Sequence, residues 1–156
     1  MSALLQTTTP LLRPMHDEDV RAVMDIERRV YPFPWTDGIF HDCIHVGYCC
    51  WVCEQDGVVV GYAVMSIGAA EAHILNLCVD PQQQRRGIGT RMLELLIELA
   101  QQHQANSMFL EVRPSNKGAI TLYHAMAFTE VGTRKDYYPA TQGRENALIL
   151  ERKLKS

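Results

Sequence analysis

The chain has 156 residues, 47% of them apolar and 21% charged, and a formal net charge of −3. That composition suits a single globular domain with a sizeable core, and the acidic balance argues against a general nucleic-acid binder, which needs a basic surface. No apolar run approaches the roughly 18 residues that span a bilayer, and residues 1–10 lack the basic region and apolar core of a secretory signal. The expectation is a cytoplasmic protein, without membrane contact, whose five cysteines stay as thiols.

Residues 1–10 read as a loose lead-in, and Leu11-Leu12-Arg13-Pro14 as a first strand. Asp17, Glu18 and Asp19 fall in the first turn of a predicted helix, where acidic groups suit the dipole. Val20, Val23, Met24, Ile26 and Val30 give it a core face, with Glu27-Arg28-Arg29 largely outside. Pro32 and Pro34 stiffen the next connection. It concentrates Tyr31, Phe33 and Trp35, either as a core plug or as a rigid wall that orients a substrate. Thr36 caps a second short helix running to about His45.

Residues 48–54 and 58–67 are β-rich, and Gln55-Asp56-Gly57 between them makes a hairpin turn. His41 and His45 precede Cys49, Cys50 and Cys53, so a zinc site is conceivable. A strand there turns Cys50 away from Cys49 and Cys53. Small buried hydrophobes are the better reading, and no metal is expected.

After a turn at Gly68-Ala69-Ala70, Glu71 to Val79 forms a strand on which His73 reads as an edge or surface histidine rather than a second base. Asp80-Pro81 ends it, and a polar loop leads to Gly87-Ile88-Gly89 and an amphipathic helix ending near His103. Ile88, Met92, Leu95, Leu96 and Leu99 lie on one face of that helix. Gly87 and Gly89 allow a tight turn in which consecutive N–H groups point at one anion. The helix N-terminus adds partial positive charge, and Arg85 and Arg86 add full charges. Together these describe a pyrophosphate seat. The P-loop pattern needs a Lys followed by Ser or Thr, and the dinucleotide fingerprint needs a third glycine where Met92 stands. Neither nucleotide motif is complete, which disfavours a nucleotide-binding protein.

Ser107 to Val112 should be a strand lying parallel to the one before the helix, through a right-handed crossover. A further helix follows from Ala119 to about Ala127. Phe128–Val131 and Asn146–Leu150 look like a last strand pair, with residues 132–145 as a long loop bearing Tyr137-Tyr138-Pro139.

Gln84-Arg85-Arg86-Gly87-Ile88-Gly89-Thr90, set between strand and helix, resembles the acetyl-CoA signature of the GNAT N-acetyltransferases. Leu110-Glu111-Val112-Arg113-Pro114-Ser115-Asn116, Ala119-Ile120-Thr121-Leu122-Tyr123 and Ala127-Phe128 resemble the closing half of that domain. Tyr31-Pro32-Phe33-Pro34-Trp35 and Asp136-Tyr137-Tyr138-Pro139 narrow the resemblance to the branch that acetylates the N-terminal alanine of ribosomal proteins. It covers about Leu12 to Leu150.

The resemblance implies one mixed α/β GNAT domain over residues 1–156, with its core at about 11–152. Its sheet is central and mostly antiparallel, flanked by helices, with a parallel pair at the cofactor site. Leu77, Cys78 and Val79 would pair with the pantetheine arm as an added strand does, the Val79 amide also facing the thioester oxygen. Arg85, Arg86, Gly87, Ile88, Gly89 and Thr90 would hold the pyrophosphate, and Asn116 would also touch acetyl-CoA. Glu111 would be the general base and Tyr123 the general acid. Tyr31, Phe33, Tyr137 and Tyr138 would grip the substrate's first residues. The implied reaction is direct acetyl transfer, in a ternary complex, to an N-terminal alanine of a small-subunit ribosomal protein, by a monomer or weak dimer. The alternatives are an acetyltransferase for lysine or a small amine, and a non-catalytic acyl-CoA-binding module.

Elementary chemistry supports the α-amine. Neutralising an α-amino group of pKa about 8 at pH 7 costs about 1 kcal/mol, against about 4.6 kcal/mol for a lysine. One carboxylate manages the smaller task. Glu111 ends an otherwise apolar run, an expensive place for an idle charge. A phenol such as that of Tyr123 can protonate a departing thiolate at a cost of about 2 kcal/mol, which a good hydrogen bond offsets.

Overall fold

Charge as much as apolar contact sets the first strand in the computed structural model, which describes residues 9–83 and 87–154. Strand β1 (Leu11–Pro14) pairs antiparallel with β2 (Cys49–Gln55), from Leu11↔Glu54 to Pro14↔Trp51. Arg13 donates to both Asp19 carboxylate oxygens at 2.8 Å and to Glu54 at 3.2 Å. Asp19 also accepts the His16 N–H at 2.8 Å. These acidic residues do not open the first α-helix. They occupy a 3-10 turn, Asp17–Asp19, and helix α1 spans Val20–Val30.

Val20, Val23, Met24 and Ile26 are buried as the periodicity predicts, with Val30 at the margin. Glu27 corrects that reading, because it is only 2% exposed. It lies four residues after Val23 and three after Met24, hence on their face of the helix. Its carboxylate accepts the Tyr62 hydroxyl at 2.6 Å and the Trp35 N–H at 2.9 Å. Helix α2 (Asp37–His45) is capped by Thr36, whose hydroxyl accepts the Ile39 N–H at 3.2 Å. Phe40 packs between Trp35 and Tyr62, at centroid distances of 5.1 and 5.7 Å.

Strand β2 turns into β3 (Val58–Gly68) at Asp56 and Gly57, with φ of 54° and 80°. Two successive left-handed residues match the twist of a tight hairpin. Strand β4 (Glu71–Val79) follows a second left-handed pair, Ala69 and Ala70. Cys43, Cys50, Cys53 and Cys78 are buried thiols and Cys49 is half-buried.

Helix α3 (Ile88–Gln102) carries a wider apolar stripe than predicted. Leu93, Ile97 and Ala100 are fully or nearly buried beside Ile88, Met92 and Leu96, whereas Leu95 and Leu99 flank the stripe half-exposed. Strand β5 (Ser107–Val112) pairs parallel with β4 from Glu71↔Ser107 to Ile74↔Leu110, and antiparallel with β7 (Arg144–Lys153). Helix α4 (Lys117–Ala125) is capped by Asn116.

The last hairpin differs most from expectation. Strand β6 runs over Thr129–Pro139 and pairs with β7, so residues 132–139 are strand and only 140–143 form the connection. Tyr137 and Tyr138 therefore sit on a strand, not in a long loop. Register shifts at Glu130/Gly132 and Arg134/Tyr138 interrupt the two-residue period, and most side chains are exposed, so no apolar alternation marks the strand.

Hydrogen-bonded neighbours follow the order β1-β2-β3-β4-β5-β7-β6. The chain divides into two compact units, Met1–Ala63 with Leu77–Met92 and Val64–Asn76 with Leu93–Ser156. Strands β3 and β4 and helix α3 contribute to both. Among the described residues no helix is long and apolar enough to cross a membrane.

Candidate active site

The residues expected to seat a pyrophosphate fall in the first unit. Past Leu77, Cys78 and Val79, the Asp80 N–H returns to the Val60 carbonyl at 2.8 Å. The Asp80 carboxylate accepts the Gln82 N–H at 3.0 Å and Arg29 at 3.0 and 3.4 Å. Its hydrogen bond with Arg29 holds the carboxyl below its ordinary range. Arg29 thus ties α1 to the turn that starts the loop. Gln84, Arg85 and Arg86 lie outside the described residues. Gly87 takes φ +75°, which L side chains rarely adopt, and a Cβ there would meet nothing within 4 Å. The demand for glycine is conformational. Ile88, buried, anchors the first turn of α3, with Gly89 and Thr90 following it. That turn presents the unpaired N–H groups and positive dipole end that an anion needs.

Gly61 makes the end of β4 possible for a different reason. A Cβ there would lie 3.0 Å from the Met92 sulfur and 3.1 Å from the Cys78 carbonyl, so a side chain would push on β4 backbone. Burial raises the Cys78 thiol pKa, against hydrogen bonds with Tyr62 and Tyr31 that lower it. The sulfur is a protonated thiol rather than a ready nucleophile. Tyr31 is half-buried, whereas Phe33 is exposed.

The second unit holds the expected acid and base. On β5 the pleat sends Met108, Leu110 and Val112 into the core and Phe109 and Glu111 to the other face. The register sets His73 opposite Phe109, and Glu111 is two residues on, so both reach the same face. His73 Nε2 lies 2.6 Å from Glu111 Oε1, and Arg134 donates to Glu111 Oε2 at 3.4 Å. His73 is therefore not an idle edge histidine but the nearest partner of the expected base. The Glu111 side chain is 9% exposed. Burial alone would push its carboxyl up, but His73 and then Arg134 reverse this and leave it below its ordinary value.

Tyr123 is buried on α4, its ring edge-on to Phe128 at 5.7 Å. Asn116 accepts the Ala119 N–H through its side-chain carbonyl at 3.3 Å. Tyr137 and Tyr138 meet edge to face at 4.8 Å. The Arg113 guanidinium lies 4.4 Å above Tyr138, and that of Arg134 lies 5.6 Å from Tyr137. Glu145 receives Arg113 and the Ser115 N–H, both at 3.1 Å. Burial raises the Tyr138 phenol pKa. The structure thus gathers Glu111, Tyr137 and Tyr138 into one chain of contacts through Arg134.

Sequence reasoning missed Glu27, Arg29 and Arg134. For Glu27 the signal was present, since its helical position falls between those of buried neighbours. Arg29 and Arg134 carried none, because their partners Asp80 and Glu111 are distant in sequence.

A strand, a glycine turn and a helix N-terminus, with a histidine-paired carboxylate on the strand that follows, are the elements expected of an acyl-CoA-dependent transferase. The model of the acetyltransferase (GNAT) family matches residues 20–128, and the chain belongs to that family, whose members use acetyl-CoA. It is 37% identical over 132 residues to the ribosomal protein bS18-alanine N-acetyltransferase of Escherichia coli K12, covering 85% of this chain and 89% of that protein. The corresponding Salmonella typhimurium LT2 enzyme is 36% identical over the same shares of each chain. Among solved structures, the ribosomal-protein-S18-alanine N-acetyltransferase from Escherichia coli superposes with a TM-score of 0.88. The two are 33% identical, over 95% of this chain and 96% of that one.

Proposed function

We propose that this acetyltransferase moves acetyl from acetyl-CoA to the α-amino group of an N-terminal alanine on a small-subunit ribosomal protein, in the cytoplasm. The acceptor is inferred from the activity of the relatives. The observation that carries the mechanism is the 2.6 Å contact between Glu111 and His73. A carboxylate held below its ordinary pKa is a weak base by itself. Beside an imidazole, the side chain suited to moving a proton near neutral pH, it can pass the proton on.

In the reaction the neutral amine attacks the thioester carbonyl carbon, so a C–N bond forms and the C–S bond breaks. Glu111 accepts the ammonium proton, directly or through a water, and His73 relays it outward. Tyr123 donates its phenolic proton to the departing thiolate and is reprotonated from solvent. Leu77, Cys78 and Val79 extend β4 towards the pantetheine arm, with Arg85, Arg86 and Gly87 to Thr90 on the pyrophosphate and Asn116 also at the cofactor. Tyr31, Phe33, Tyr137 and Tyr138 line the acceptor's first residues. The buried Cys78 thiol supports direct transfer over an acyl-cysteine intermediate.

The test is mass spectrometry of two peptides incubated with enzyme and labelled acetyl-CoA. One begins with alanine, and the other carries a blocked N-terminus and an internal lysine. Label on the first alone is expected. Label on the lysine peptide would move the acceptor assignment, and coenzyme binding without product would remove the catalytic one. Tyr123→Phe keeps the ring and should retain the fold while kcat drops about 10²-fold or more.

A further inference from the structure

We propose that Asp17, His41 and His45 form a binding site for one divalent transition-metal ion of the Zn2+ type. His41 and His45 stand four apart on α2 and so share a face of the helix. Asp17 comes from the 3-10 turn ahead of α1. His41 Nδ1 lies 2.6 Å from Asp17 Oδ1, and His45 Nε2 lies 3.0 Å from Asp17 Oδ2. One donor atom from each residue falls within 4.8 Å of the other two. Three donors converging from two separated segments make up the protein share of an open tetrahedral site, whose fourth position goes to water.

The donor set selects the ion. Two imidazoles and one carboxylate suit Zn2+, Co2+, Ni2+ or Cu2+, whereas Mg2+ and Ca2+ favour all-oxygen shells. With metal–ligand bonds of about 2.1 Å, tetrahedral donors stand roughly 3.4 Å apart. The His41–Asp17 contact therefore needs to open by about 0.8 Å and the His45–Asp17 contact by about 0.4 Å. Their partial exposure permits that movement and gives an ion direct access.

The spacing of His41 and His45 is the same one that suggested zinc from sequence, but the partner is different. Cys49, Cys50 and Cys53 are buried or half-buried on β2, and Asp17 takes their place. A bound ion would cross-link the entry of α1 to α2. The connection between those helices carries Tyr31, Phe33 and Trp35.

The test is calorimetric titration of chelator-treated full-length protein with ZnCl2, repeated for Asp17→Asn, His41→Ala, His45→Ala and Cys49→Ser. One ion per chain with micromolar affinity is expected. Each of the first three changes should weaken binding at least tenfold, and Cys49→Ser should leave it intact. Zinc should raise the Tm of the wild type and of Cys49→Ser by several degrees and that of the other three by clearly less, as linkage requires of a ligand bound only by the folded state. Co2+ should give a spectrum without thiolate charge transfer. No saturable binding, or binding that survives His41→Ala and His45→Ala, would overturn the site. Unfolding scans without metal check that each variant is folded.

Discussion

Two carboxylates of this molecule are withdrawn from water, Glu27 fully and Glu111 in part, yet their surroundings differ in kind. Glu27 receives a phenol and a backbone N–H, donors that keep their protons at neutral pH. Glu111 receives an imidazole and a guanidinium, His73 at 2.6 Å and Arg134 at 3.4 Å. Glu27 fastens the Tyr31–Trp35 connection to α1 and β3, whereas Glu111 is the proposed base. Burial alone does not identify a general base; the chemistry of its partners does.

The strongest way to break this contrast is Glu111→Gln, which keeps shape and removes the proposed base. We expect kcat to fall by about 10² to 10⁴-fold, with unfolding free energy changed by less than about 1 kcal/mol, as for a partly exposed ion-pair network. Steady-state acetylation and denaturant titration report the two quantities. Glu27→Ala should do the reverse. Stranding the buried Tyr62 hydroxyl should cost about 3 kcal/mol of stability, while kcat of the folded fraction shifts only a few-fold. A kinetic collapse in the second variant would erase the distinction.

Asp19 sharpens the comparison, because its partner Arg13 is a permanent cation. The hydrogen bond from Arg13 holds the Asp19 carboxyl below its usual value. A depressed folded-state pKa stabilises above the unfolded value and loses that stabilisation as pH falls through the folded one. Asp19→Asn should therefore cost about 2 kcal/mol at neutral pH. The gap to wild type should stay flat down to about pH 5 and close progressively below about pH 4. Urea titrations across that range measure it.

The smallest effect concerns backbone alone. Ala70 has φ +64°, and an L residue pays about 1 to 2 kcal/mol in that region. Ala70→Gly should recover roughly 0.5 kcal/mol after the extra chain entropy of glycine, visible as a small rise in Tm with unchanged kcat. It gives the baseline for a change that alters neither carboxylate.

Where side-chain period and turn chemistry act locally, the sequence was sufficient. The Asp56-Gly57 hairpin, the Thr36 cap and the strand–glycine–helix passage through Gly87 each need only neighbouring residues, and each is found. What escaped depends on contacts closed by the fold. His73 and Glu111 are 38 apart in sequence, and only the β4–β5 register brings them together. Glu27 was misread because charge was allowed to outweigh helical phase. Strand β6 was missed because its bulges and polar residues carry no period for a sequence to display.

Among the described residues strand β6 is also the last in the sheet, with nothing hydrogen-bonded beyond it in the strand order. An open row of peptide groups invites a foreign strand. Exposed Glu130, Arg134, Lys135 and Asp136, the two bulges, and Pro139, which has no N–H to offer, make that border a poor template. Such a border should keep the protein from polymerising edge to edge at high concentration.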